Sequence, residues 1–313
     1  MNYPARITLL ALASALAWTA TAAESQDTTD AAKPEKPMPL PLHELGGSGG
    51  LFSTLSAYLV NPPRNGEPVG RPAIGFGYID IGYGRDLAAL TLTETPWQRL
   101  ELGFGYDYLN LGDLPTQIKG QGGPTIDNNL ALYNANARLQ ILKEDEFGQK
   151  WLPAITAGIH YKYNDGLNTI NNQMHGEMSA IGLSDDQGLD FTLYGTKLLT
   201  FLPRPVVISL GGRATKGVES GLLGFTDEYS FVFEANVAVL LTSKFILAAE
   251  YKQQPSSFTP IPGLIGTPDD WFTLAAAYVV NPHMTVAVGY GHFGTVGNHT
   301  ANEVWGISTK WEF

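Results

Sequence analysis

The chain has 313 residues, no cysteine, only 16% charged side chains and a formal net charge of −11. Without cysteine there are no disulfides, thiolate metal sites or cysteine nucleophiles. An excess of 30 acidic over 19 basic residues excludes the clustered Lys and Arg that a phosphate-reading nucleic-acid surface needs.

Residues 1–23 read as a secretion signal. Arg6 precedes the apolar run Ile7 to Trp18, and small residues follow through Ala22 and Ala23, where cleavage is expected. The run is shorter than the ~20 residues of a spanning helix. Residues 24–50 read as a flexible, Pro/Gly-rich periplasmic linker, because Pro34, Pro37, Pro39 and Pro41 forbid a regular ladder. The Gly46 to Gly50 cluster lacks the Lys-Ser/Thr and the preceding strand of a phosphate-binding loop. Residues 51–71, which include the apolar stretch Leu51 to Val60, are expected either to stay in the periplasm or to enter a lumen.

From Pro72 onward the pattern alternates with period two. In Arg99 to Tyr108, Leu100, Leu102, Phe104, Tyr106 and Tyr108 share one face, opposite Arg99, Glu101, Gly103, Gly105 and Asp107. Ala131 to Ile141 sets Tyr133, Ala135, Ala137, Leu139 and Ile141 against Asn134, Asn136, Arg138 and Gln140. Phe231 to Leu241 and Phe245 to Lys252 repeat the pattern, with Glu234, Asn236, Glu250 and Lys252 on the polar side. Twelve such segments centre near Phe76, Leu90, Phe104, Ala135, Ile159, Leu193, Ile208, Ala235, Ala248, Ala276, Val288 and Ile307. The connectors alternate between short (Thr95 to Trp97, Lys143 to Lys150, Phe201 to Pro205, Thr242 to Lys244, Asn281 to His283) and mostly longer ones. The longer set is Asn110 to Asn128, Asn164 to Gly188, Lys216 to Asp227, Gln253 to Asp269 and Gly294 to Ala301.

An even strand number with short turns at one end and long loops at the other is the pattern of outer-membrane barrels of Gram-negative bacteria. Open sheet edges cannot face lipid, so such a sheet must close. The expected fold is therefore all-β: an antiparallel transmembrane β-barrel of about twelve strands over residues 72–313. A soluble sandwich also alternates. Against it stand aromatics at strand ends (Trp97, Tyr108, Tyr161, Tyr163, Tyr251, Tyr278) and polar faces rich in Gly and Ala. The last strand alternates through Trp305, Ile307, Thr309, Trp311 and Phe313, so Trp311 and Phe313 are candidates for an assembly signal. The partners expected from this are outer-membrane lipid, periplasmic chaperones and the barrel-assembly machinery. A further periplasmic partner could dock on the proline-rich arm.

The chain also resembles a family of outer-membrane proteins known only as a domain of unknown function, of the DUF 3034 type. The resemblance spans roughly Pro39 to Phe313. It is carried by Ala57-Tyr58-Leu59-Val60-Asn61-Pro62, Trp151-Leu152-Pro153-Ala154, Tyr161-Lys162-Tyr163-Asn164-Asp165-Gly166 and Gly221-Leu222-Leu223-Gly224-Phe225. Asp269-Asp270-Trp271 and Lys310-Trp311-Glu312-Phe313 fit as well. The resemblance implies a barrel and a location but no activity, cofactor or site residues.

The alternation assigns a lumen-facing set: Arg99, Glu101, Asp107, Asn134, Asn136, Arg138, His160, Lys162, Arg213, Glu234, Glu250 and Lys252, with Asp190, Lys310 and Glu312. His160 beside Lys162 is the best candidate base, but no serine pairs with it, and a polar lumen role fits it better. Asp185-Asp186, Asp227-Glu228 and Asp269-Asp270 read as solvated loop acids rather than Ca²⁺ ligands. No metal, cofactor or catalytic set is assigned. The leading expectation is a non-enzymatic outer-membrane channel for small solutes, to which Gly103, Gly105, Gly158, Gly211, Gly289 and Gly291 lend an open lumen. The alternative is a structural or interaction barrel with its charges paired inside a filled lumen, and an outer-membrane hydrolase is the third reading.

Overall fold

The computed structural model describes residues 42–64 and 67–313. The secretion signal, its cleavage position and the linker up to residue 41 lie outside the described residues. Two short strands come first, β1 (Leu42–Glu44) and β2 (Ser48–Gly50). The barrel then begins with β3 (Ala73–Gly82), β4 (Arg85–Trp97), β5 (Leu100–Leu111) and β6 (Asn129–Leu142). It continues through β7 (Ala154–Asp165), β8 (Gln187–Leu199), β9 (Val206–Gly217) and β10 (Phe225–Leu240). After β11 (Phe245–Lys252), β12 (Trp271–Asn281) and β13 (Met284–His292), a small hairpin of β14 (Thr295–Val296) and β15 (His299–Thr300) precedes the last strand, β16 (Val304–Glu312).

Twelve strands, β3 to β13 with β16, form one closed barrel in which each pairs antiparallel with its sequence neighbours. The seam joins β16 to β3, from Trp305 opposite Asp80 to Glu312 opposite Ala73. Each of the twelve centres expected from the alternation lies in one of these strands.

The pleat decides between a soluble and a membrane barrel. In β5, Leu102, Phe104 and Tyr108 are exposed on the outside, whereas Glu101 and Asp107 are buried inside. The same inversion runs around the wall. Leu90, Leu139, Ile159, Leu193, Leu210, Leu274 and Val288 face outward, and Asn134, Arg138, Lys162, Asp190, Arg213, Glu234 and Glu250 face inward. An apolar exterior around a polar interior is stable only where the outside solvent is hydrocarbon. The soluble alternative is excluded on that ground.

Arg99 departs from the expected inward set. A register shift between Glu94 and Trp97 prolongs β4, with Pro96, which has no N–H to give to a ladder, inside the irregular stretch. Gln98 and Arg99 thus become the turn. The Arg99 guanidinium lies at the rim, where it donates to the Ile141 carbonyl at 3.0 Å and pairs with Glu146.

The longer connectors gather at one end. Short helices Leu114–Gly120, Leu167–Gln173 and Glu177–Ala180 pack there with Leu109, Leu130, Leu222, Phe258, Phe293 and Val296 into an apolar cluster across the mouth. The acidic pairs tie these loops together rather than standing free: Ser184 donates to Asp227, Thr295 to Asp269, and Tyr251 to Asp270 at 2.6 Å.

Candidate functional site: the barrel lumen

The lumen is occupied by the chain's own N-terminal segment. The sequence places residues 42–50 in a flexible linker. In the structure they form the β1–β2 hairpin, with Gly47 at φ 81, and Leu51, Phe52, Leu55, Ala57 and Val60 after it are buried.

Inward side chains of several strands grip this segment by its backbone. Glu101 accepts from the Val60 N–H at 2.7 Å and the Gly49 N–H at 3.2 Å. Arg138 pairs with Glu101 at 2.8 Å and donates to the carbonyls of Gly49 and Ser56. Asn136 accepts from the Ser48 hydroxyl and donates to the Gly46 carbonyl, both at 2.8 Å. Gln140 and Thr156 both donate to the Ala57 carbonyl, while Thr196 accepts from its N–H. Asn236 donates to the Leu55 carbonyl, and Glu250 takes the N–H of Ser53 together with the hydroxyls of Ser53 and Thr54. Buried backbone groups without such partners would each carry a desolvation cost, so these contacts set the register of the segment.

The remaining charges pair among themselves and with a second insertion. Arg213 bridges Asp190 at 3.0 Å and Glu234 at 2.9 Å. Lys162 pairs with Asp190 at 2.8 Å and Lys310 with Glu312 at 3.0 Å. Lys162 and Lys252 also donate to the Ser220 carbonyl and hydroxyl, and Lys252 reaches the Ser53 carbonyl at 3.1 Å. Lys252 thus ties the N-terminal segment to the connector between β9 and β10. Asp107, Asn134 and His160 are buried in the same wall. Asp107 and Asn134 each leave an oxygen without a hydrogen bond, and neither ring nitrogen of His160 makes one.

That connector was expected as an outer loop over Lys216 to Asp227. It folds inward instead. Val218, Glu219, Gly221, Leu222 and Leu223 are buried, and Phe225 is fully buried where β8 and β9 stop pairing. The Phe225 ring lies against Gly188, Gly217 and Gly221; a β-carbon at Gly188 or Gly221 would collide with it, and one at Gly217 would strike the Gly221 backbone. Glu219 and Ser220 hold left-handed backbone (φ 46 and 64), which costs on the order of 1–3 kcal/mol for a residue with a side chain. Burial pushes the Glu219 carboxyl up to about 8, against donation from the Gly297 N–H and the nearby Arg85.

The glycines read as lining an open lumen make room for other groups. A β-carbon on Gly105 would stand 2.7 Å from the Gly46 carbonyl carbon, and one on Gly103 would strike the Gly47 carbonyl. At Gly158 it would meet Arg138, at Gly211 the Tyr194 ring, at Gly289 the Phe52 ring at 3.0 Å and at Gly291 the Phe293 ring. Cavities of about 20 and 30 Å³ lie beside Phe52 and in the loop cluster, with room for about one or two waters each.

Gln140 was read on the polar face of its strand but not in the lumen-facing set, and Thr156 and Thr196 on the wall and Ser53 and Thr54 on the segment were not assigned from the sequence. The wall members share the parity of Arg138, His160 and Asp190 along their strands, which is the signal that would have found them. Among the described residues no three His, Asp or Glu side chains converge on a metal position.

The fold and its contents define a transmembrane β-barrel filled by its own N-terminal segment and by one inward-folded connector. The chain belongs to the family described as Protein of unknown function (DUF3034), whose model matches residues 83–310. No curated protein sequence matches it. Similar solved structures include a KdgM porin in complex with disordered oligogalacturonate, at 8% identity and TM-score 0.47 over 77% of this chain and 99% of that one. The NanC porin aligns at 11% identity and TM-score 0.46, covering 77% and 100%. The COG4313 outer membrane channel from Pseudomonas putida F1 aligns at 12% and 0.43, covering 78% and 96%. Likeness at this level assigns no ligand or activity to this chain.

Proposed function

We propose that the protein is a channel for small polar solutes in the outer membrane of a Gram-negative bacterium, held closed by its N-terminal segment. The observation that carries this reading is the polarity of the contact between segment and wall. Glu101, Arg138, Asn136, Asn236 and Glu250 hold the segment through hydrogen bonds. Water can replace every one of those bonds when the segment leaves. A permanently solid interior is served as well or better by apolar side chains, because buried ion pairs seldom outdo a hydrophobic filling in stability. Charged walls suit a lumen that is sometimes wet.

Single-channel recording tests this. The full chain is expected to be silent or rarely open, and a protein lacking residues 24–60 to conduct steadily. A folded barrel that stays silent without those residues would refute the channel. The second reading, a filled barrel that displays loops, draws on the apolar cluster across the mouth, which water cannot replace as readily. In either case lipid, periplasmic chaperones and the barrel-assembly machinery, addressed through Trp311 and Phe313, are the partners we propose.

A further inference from the structure

The short-turn end is not uniform around its circumference. The three turns that connect β4 to β9 carry Trp97, then Phe147 and Trp151, then Phe201. Phe201 (80% exposed), Phe147 (79%) and Trp151 (73%) are the most exposed large apolar side chains among the described residues. Strands β4 to β9 are consecutive neighbours, so these rings form one arc. The turns β10–β11 and β12–β13, on the other arc, present Thr242, Ser243, Lys244, Pro282 and His283 instead. Phe147 sits at φ 58, in the left-handed region that a bulky residue avoids. The turn therefore displays this ring at a conformational cost.

Charge separates the two ends of the barrel. Connectors at the long-loop end hold nine acidic residues and one basic residue, Lys119. Those at the short-turn end, with residues 61–72, hold seven basic and four acidic ones. In the aromatic arc the acids are already engaged. Glu144 accepts from the Tyr58 hydroxyl and the Leu198 N–H, Asp145 pairs with Lys197, and Glu146 pairs with Arg99. Lys150, between Phe147 and Trp151 in the chain, and Arg204, three residues after Phe201, are exposed, with no acidic partner among the described residues.

We propose that this arc is a docking surface for anionic phospholipid headgroups of the leaflet at the short-turn end. The rings of Phe147, Trp151 and Phe201 enter the boundary between headgroup and acyl chain, where aromatic side chains are favoured. Lys150 and Arg204 meet the phosphates. Rings alone suit any bilayer interface; two unneutralised bases among them add a preference for negative lipid. The proposal rests on the membrane-spanning fold and not on conduction through the lumen.

The test uses the full chain reconstituted in phosphatidylcholine bilayers, with spin-labelled phosphatidylglycerol or spin-labelled phosphatidylcholine as the probe. Wild-type protein is expected to hold phosphatidylglycerol about fivefold more strongly, the scale of one base at an anionic surface, and less so at about 0.5 M salt. Lys150→Gln with Arg204→Gln should bring the ratio close to one while the protein still migrates as a folded, heat-modifiable band, since neither side chain makes an ion pair within the barrel. Lys244→Gln, on the other arc, should leave the ratio unchanged. Equal retention of the two lipids by wild type would overturn the proposal, and is the result expected if a protein partner covers this arc instead. So would a preference that survives the double substitution, or one that Lys244→Gln removes.

Discussion

The two walls of the lumen hold the N-terminal segment by different physics. Along β5 to β11 the inward positions are Glu101, Asn136, Arg138, Thr156, Thr196, Asn236 and Glu250, which bond to backbone N–H and carbonyl groups of the segment. Along β12, β13, β16 and β3 the inward positions include Ala275, Ala277, Ala287, Gly289, Gly306 and Gly77, against which Phe52 and Leu45 pack. The first wall reads where the backbone is, because each bond needs a donor or acceptor at one position and angle. The second reads shape alone. Together they fix one register, since a slip of one residue would break the bonds on one side and drive a ring into backbone on the other. They also differ in what happens if the segment leaves: the polar wall takes up water, while the small-residue wall loses only packing.

The largest effect is expected on the polar wall. Arg138→Leu leaves Glu101 buried without its cationic partner and the Ser56 carbonyl without the Arg138 donor. Breaking such a buried pair costs about 3–5 kcal/mol, read as a lower urea midpoint for loss of the heat-modifiable form. In a protein lacking residues 24–60 the same substitution should cost far less, because water would then solvate Glu101. An equal loss in both backgrounds would show that the polar wall stays dry.

A smaller effect is expected opposite. Gly289→Val pushes a branched side chain into the Phe52 ring, already 3.0 Å from the position of a β-carbon, and overpacking of this kind costs about 1–3 kcal/mol. Phe52→Ala should relieve most of it, which a double-mutant cycle measures as coupling. Additive losses would mean that the ring does not determine the fit on this side.

The most diagnostic effect lies at the long-loop end. The Glu219 carboxyl is raised to about 8 from an ordinary value of 4.5, so the folded state favours its neutral form. The contribution of that form is complete below about pH 4.5 and is lost as pH rises through about 8. Thermal stability of wild type relative to Glu219→Gln should therefore fall across that window and level off above it. A difference that does not change with pH would mean that Glu219 is hydrated rather than buried.

The strands were legible because a pleat seen from both sides leaves a period of two, as in Leu100 to Tyr108, and because connector lengths alternate. Two kinds of feature were not. Glycine at an inward position says only that there is space. Gly103 and Gly105 read equally well as pore lining or as room for another backbone, and only the position of Gly46 and Gly47 decides. Residues 42–50 read as linker because their side chains are small and polar. Their place is set by bonds to main-chain groups, which every sequence carries alike. Glu219 to Phe225 turns inward through backbone angles and a glycine seat drawn from Gly188 and Gly217, a long-range match with no local pattern. Arg99 was misplaced because the irregular stretch before Trp97 prolongs β4 and leaves Arg99 in the turn rather than on the wall of β5.

The seam between β16 and β3 also bears on the order of events during folding. It joins Asp80 to Trp305, contacts more than two hundred residues apart, so closing it carries the largest chain-entropy cost of any strand pair in the barrel. Every other strand pair lies between sequence neighbours and can form progressively. The segment from Ser48 to Val60 precedes β3 and bonds to β5, β6, β7, β8, β10 and β11. A sheet growing from β3 therefore has a mandrel to curl around, one that sets its curvature and brings the two free edges toward each other before they meet.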